Sequence, residues 1–195
     1  MNKTQLSPDE RSILLRIARQ AIEKAVDQEP IEPLDLPSLT AQLQAAGASF
    51  VTLTNMGELR GCIGALQAYQ PLVLDVQEHA IAAAMEDYRF PPVSREEVPL
   101  LEIEISRLTP SHPLEYSNGE DLLNQLRPGV DGVILRNGIQ RATFLPQVWE
   151  QVPNPEDFLT HLCLKMGAPG DLWRRQLLRV ETYQVEEFRE KPTKS

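Results

Sequence analysis

The stretch Asp131-Gly132-Val133-Ile134-Leu135-Arg136-Asn137-Gly138-Ile139-Gln140-Arg141-Ala142-Thr143-Phe144-Leu145 decides the fold class. Two runs of apolar and β-branched residues flank an Asn-Gly pair, which favours the positive dihedrals of a type I′ turn. The spacing predicts an antiparallel hairpin, 131–136 against 139–145. A second hairpin is predicted upstream. Ala48 to Thr54 reads as a strand, Asn55-Met56-Gly57 as turn residues and Glu58 to Gly64 as the returning strand. Between the two, Leu101, Ile103 and Ile105 alternate with Glu102, Glu104 and Ser106, the pattern of a half-buried strand. The phase breaks at Arg107-Leu108, which marks a bulge or the strand's end. Hairpins with helices set among them are not a βαβ series. The class is α+β, with a largely antiparallel sheet and flanking helices.

The helices announce themselves by caps and spacing. Ser7-Pro8-Asp9-Glu10 has a capping residue, a proline at the first helical position and a glutamate three residues after the cap. Ile13, Leu14, Ile17, Ala18, Ala21, Ile22 and Ala25 follow at helical spacing, so a helix should run on and stop before Gln28-Glu29-Pro30. A proline-rich connector at 29–37 and a short helix around Leu39 to Ala45 come next. Pro71 to Asp87 reads as a helix ended by Phe90-Pro91-Pro92, because proline restricts the residue before it. Ser117-Asn118-Gly119-Glu120 has the form of a capping box for a helix through Leu126. Asn154-Pro155-Glu156-Asp157 opens another, stopped by Gly167. A last helix is expected over Asp171 to Leu178, then a closing strand with Tyr183 and Val185.

The chain has 195 residues, suited to one sizeable domain or two lobes sharing a core. It is read as a single domain over 1–195, with an N-terminal helix in 1–28 and a flexible tail at 189–195. Nineteen basic against twenty-eight acidic residues give a formal charge of -9, which argues against long-range attraction to nucleic acid or anionic lipid. No window approaches the roughly 20 apolar residues needed to span a bilayer, and the start of the chain lacks the apolar run of a secretory signal. With only two cysteines, Cys62 and Cys163, the reading is a reduced, cytoplasmic protein.

The most unusual segment for chemistry is Leu59-Arg60-Gly61-Cys62-Ile63-Gly64. Glycines on both sides of a cysteine at a strand end permit positive φ, or the close approach of another backbone or a ligand. Such a bend can leave amide N–H groups facing an anion. Arg60 could lower the pKa of the Cys62 thiol, making it a nucleophile or a ligand contact, while the plain alternative is a small buried residue in a tight turn. His79, with Glu86 two turns on, could serve as a base in a Cys62–His79–Glu86 constellation. His79, His112 and His161 are isolated, so no metal-ligand spacing is present and no cofactor is implied. Glu102 and Glu104 share a strand face and read as its solvated side.

Leu59 to Gly64, Asp87 to Pro92 with its Arg89-Phe90-Pro91-Pro92, Gly132-Val133-Ile134-Leu135 and Ala142-Thr143-Phe144-Leu145-Pro146-Gln147-Val148 together resemble the AMMECR domain family, in the family's order over 47–185. The likeness is to the subfamily called AmmeMemoRadiSam system protein A. It implies an α+β fold with a cleft between a larger and a smaller lobe. It places Arg60, Gly61, Cys62, Gly64, Arg89 and Phe90 near that cleft, and His79 is no part of the motif. The family's activity is not established. Its bacterial and archaeal members are associated with a Memo-like, dioxygenase-related protein and a radical S-adenosylmethionine protein. The resemblance therefore implies an accessory or substrate-handling role with those partners, on an unknown small-molecule or protein substrate. An enzyme using Cys62 as nucleophile is the alternative. RNA binding, a further alternative, is disfavoured by the acidic charge.

Overall fold

The computed structural model describes residues 5–190. Its elements run α1 (Pro8–Val26), α2 (Ala41–Gln44), β1 (Ala46–Asn55), β2 (Glu58–Gly64), β3 (Gln70–Pro71), α3 (Leu72–Met85), β4 (Leu101–Leu108) and β5 (His112–Pro113). They continue as α4 (Gly119–Gln125), β6 (Gly132–Asn137), β7 (Gln140–Phe144), α5 (Val148–Gln151), α6 (Pro155–Lys165), α7 (Leu172–Arg175), β8 (Arg179–Tyr183) and β9 (Val185–Arg189). The class is α+β, as the hairpins predict. The residues group into two compact units, one up to Thr109 together with Glu186 onward, the other Pro110–Val185.

The first unit is built on a sheet of order β2-β1-β4-β9, with the short β3 on β1. β1 runs antiparallel to β2, β3 and β4. Along β1 the buried residues alternate: Val51 and Leu53 are fully buried, while Phe50, Thr52 and Thr54 are half-exposed. Val51, Leu53, Ile103 and Ile105 share a core with Leu14 and Ile22 of α1 and Val73, Val76 and Ala80 of α3. The α1 cap forms as a reciprocal pair: Glu10 N donates to Ser7 Oγ at 3.2 Å and Ser7 N donates to Glu10 Oε2 at 2.7 Å.

The second unit has a sheet of order β5-β8-β6-β7, in which β6 pairs antiparallel with both β7 and β8. Val133 and Leu135 of β6 pack with Phe158, Leu159 and Leu162 of α6 and with Trp149 and Trp173. Trp149 stacks on Phe158 with ring centroids 3.7 Å apart, and its indole N–H donates to the Asp131 carbonyl at 2.7 Å.

Several expectations change in detail. In the decisive hairpin Asn137 pairs with Gln140, so the loop residues are Gly138 and Ile139, and Gly138 alone has positive φ (59°). One positive dihedral at the first loop position is the type II′ pattern. The type I′ pattern lies in the upstream hairpin, where Met56 (52°) and Gly57 (83°) are both positive. The α4 cap is Asn118, whose side chain accepts from Asp121 N, and Ser117 instead donates to the Asp121 carboxylate. The helix expected over Asp171 to Leu178 shrinks to α7, and the closing strand divides into β8 and β9. β4 stays in register with β1 to its end at Leu108, with Arg107 buried, so the broken phase there marks the strand's end and not a bulge. Arg189 lies in β9 and Glu190 N donates to the Ile103 carbonyl, so the expected tail does not start at 189. Residues 191–195 lie outside the described residues.

Candidate functional site

β2 is the end strand of its sheet, and its glycines are there for space. A Cβ on Gly61 would sit 2.1 Å from the Ala83 carbonyl oxygen of α3, and one on Gly64 would sit 2.4 Å from the Ser49 carbonyl oxygen and the Phe50 ring. Neither has positive φ. Of the two expected uses of these glycines, close backbone approach is the one realised.

Gly61 therefore faces α3, and alternation along the strand turns Cys62 to the opposite side of the sheet. The β1–β2 register pairs Leu53 with Gly61 and Thr54 with Leu59, which leaves Arg60 as the extra residue of a bulge. Bulges bend a strand and re-aim side chains. Here Arg60 turns to the 90–97 segment: its Nε and Nη2 donate to the Glu97 carboxylate at 2.8 and 3.1 Å, and Nη2 also donates to the Pro92 carbonyl at 3.3 Å.

Cys62 is a free, half-buried thiol; Cys163 is also free but fully buried. The Thr52 hydroxyl, its cross-strand partner, donates to the sulfur at 3.3 Å. The Cys62 N–H donates to Asp87 Oδ2 at 2.9 Å, and Arg89 Nη2 donates to the Cys62 carbonyl at 3.2 Å. Arg89 closes the clip by donating to both Asp87 oxygens, at 2.9 Å from Nε and 2.6 Å from Nη2. The amide expected to face an anion is thus held by a carboxylate of the same chain. The two guanidiniums flank Phe90, at 5.9 Å for Arg60 and 5.5 Å for Arg89.

Asp87 is 4 % exposed, and the hydrogen bonds from Arg89, with further help from the Cys62 amide, hold its carboxyl well below the usual range. Glu97 is drawn down to about 2, chiefly by its hydrogen bond from Arg60. Arg60, invoked above as a charge beside the thiol, spends that charge on Glu97.

His79 does not join the site. Its Nδ1 lies 3.2 Å from Asp75 Oδ2, the oxygen that accepts from Ser49 Oγ at 2.6 Å. Ser49 is in phase with Val51 and Leu53, on the helix side of β1, whereas Cys62 pairs with out-of-phase Thr52. The sheet stands between imidazole and thiol, and Glu86 is exposed past the end of α3. The Cys62–His79–Glu86 constellation is not formed. Arg60, Phe90, Arg89 and Cys62 do come together. Asp87, Glu97 and Thr52 complete the group; Asp87 opens the 87–92 motif but has no role read from sequence, although Asp87 and Arg89, two residues apart past a helix end, form a local pair that spacing could have exposed.

Among the described residues no group of three or more His, Cys, Asp and Glu is arranged to hold a metal ion. No helix there is long and apolar enough to cross a membrane.

Comparison with known proteins gives a consistent picture. The family model described as AMMECR1 matches residues 15–188. A protein of Methanothermobacter thermautotrophicus is 40% identical over 193 residues, covering 97% of this chain and 99% of that one. A protein of Thermofilum pendens is 36% identical, covering 94% of this chain and 91% of its own length. Among solved structures, the uncharacterised protein PH0010 from Pyrococcus horikoshii aligns with a TM-score of 0.70 at 36% identity, over 91% of this chain and 90% of that one.

Proposed function

The chain belongs to the AMMECR1 family, and from that premise we propose that it is an accessory or substrate-handling protein working beside a Memo-like, dioxygenase-related protein and a radical S-adenosylmethionine protein. The observation that carries the non-catalytic part of this reading is the setting of Cys62. Its amide, carbonyl and sulfur are each held, by Asp87, Arg89 and Thr52, and among the described residues no histidine touches it. A group held at its amide, carbonyl and sulfur, with no base to take its proton, suits contact with a bound molecule better than attack on one. Affinity purification of the native chain from its source, followed by mass spectrometry, is expected to recover both partners. Recovery of neither overturns the assignment.

One observation favours the nucleophile reading: the thiol is free and on a partly exposed strand. A thiol-reagent titration separates the two. The accessory reading expects Cys62 to react no faster than a free thiol at neutral pH. A markedly faster rate supports the enzyme.

A further inference from the structure

The Arg60–Phe90–Arg89 group has an unusual balance. Two guanidiniums meet two carboxylates, Glu97 and Asp87, so the group carries no net charge despite its arginines. Each arginine commits Nε and Nη2 to a carboxylate, and Arg60 Nη2 and Arg89 Nη2 also reach the Pro92 and Cys62 carbonyls. Nη1 is left over on both. On Arg60, whose side chain is 12% exposed, that atom is buried with no hydrogen-bond partner. On Arg89 the side chain is 42% exposed, and its Nη1 makes no hydrogen bond among the described residues. A buried donor without an acceptor is costly, and it marks where an acceptor belongs. Phe90 offers an aromatic face near both guanidiniums, 5.9 Å from Arg60 and 5.5 Å from Arg89.

The charge balance selects the kind of acceptor. A phosphate or carboxylate gains little from guanidiniums already neutralised by bidentate carboxylates, and it would face Asp87 and Glu97 as well. An uncharged carbonyl oxygen meets no such repulsion. The neighbouring strand narrows the class further. Cys62 directs its main-chain N–H and C=O away from β1, since Asp87 and Arg89 take them. Gly64, two residues on along this end strand, points its own the same way by alternation. Main-chain amides are the groups that match an outward N–H and C=O.

We propose that this group binds the main-chain amides of an extended peptide segment, with a carbonyl on the Nη1 donors and pairing at Gly64. The inference rests on the reading that the Cys62 site binds and does not catalyse, and it names the chemistry of what is bound. The test uses the full chain and arginine side-chain NMR signals. The probes are acetyl-Ala-Ala-Ala-amide and inorganic phosphate, at equal ionic strength. The peptide should shift the Arg60 and Arg89 signals saturably, and phosphate should leave them in place. Arg60→Lys, which has no planar fork, should weaken peptide binding about fivefold. If that variant does not fold, Phe90→Leu should weaken it similarly. Shifts with phosphate and none with the peptide overturn the proposal, and so do no shifts with either. Peptide binding with no partner recovered by affinity purification leaves this inference standing and removes the named partners alone.

Discussion

Asp87 accepts from the Cys62 and Arg89 main-chain amides and twice from the Arg89 guanidinium. Its carboxyl and that of Glu97 are both held below their ordinary values. A depressed folded-state pKa adds stability that is complete above the unfolded value, about 3.9 for Asp and 4.3 for Glu, and is lost as pH falls toward the folded value. For Glu97 the loss runs down to about 2. Urea midpoints should therefore fall between about pH 5 and pH 2, and Asp87→Asn or Glu97→Gln should flatten that fall. A flat wild-type profile would contradict the geometry. Gly61→Ala should destabilise by at least 1–3 kcal/mol or prevent folding, because its Cβ would meet a helix carbonyl at 2.1 Å. Gly57→Ala meets nothing but adopts φ +83°, so it should cost about 1 kcal/mol, read from the same midpoints.

The β1–β2 hairpin shows how one extra residue redirects a site. Its tight turn pairs Asn55 with Glu58, and regular counting back from there would set Thr52 against Gly61. The bulge at Arg60 moves the partner to Cys62 and brings the threonine hydroxyl to the sulfur. Deleting Arg60 should remove the bulge and keep Gly61 opposite Leu53 and Cys62 opposite Thr52. Amide exchange from Gly61 to Gly64 should then stay as in the parent chain, and altered exchange there would refute the account. The α1 cap offers a simpler check. Ser7 accepts from Glu10 N, so Ser7→Ala should lower stability by about 1 kcal/mol in denaturant titration.

Two hydrophobic cores serve the two compact units, and both tryptophans lie in the second. Tryptophan emission therefore reports on the core around Phe158. Phe158→Ala removes the ring stacked on Trp149, so it should change native emission and cost about 3–5 kcal/mol. Leu53→Ala, fully buried in the first core, should cost about 2–5 kcal/mol by circular dichroism while native emission stays as in the parent chain.

Local order determined what could be read from residues in a row. The Ser7 cap, the strand over Glu58 to Gly64 and the helix opened by Asn154-Pro155 appear as the spacing predicts, because caps, turns and alternation act over a few residues. The antiparallel class followed from the hairpins for the same reason. The cluster of Arg60, Cys62, Arg89 and Phe90 is legible only through the family resemblance of its motifs, since 60 and 89 meet through the sheet's end and the α3 exit. His79 failed as a partner because strand phase, which sets the face a side chain takes, depends on what packs behind it. The carboxylates that neutralise the arginines were likewise decided by tertiary structure, since an ion pair is a distance in space that charge along a chain does not specify.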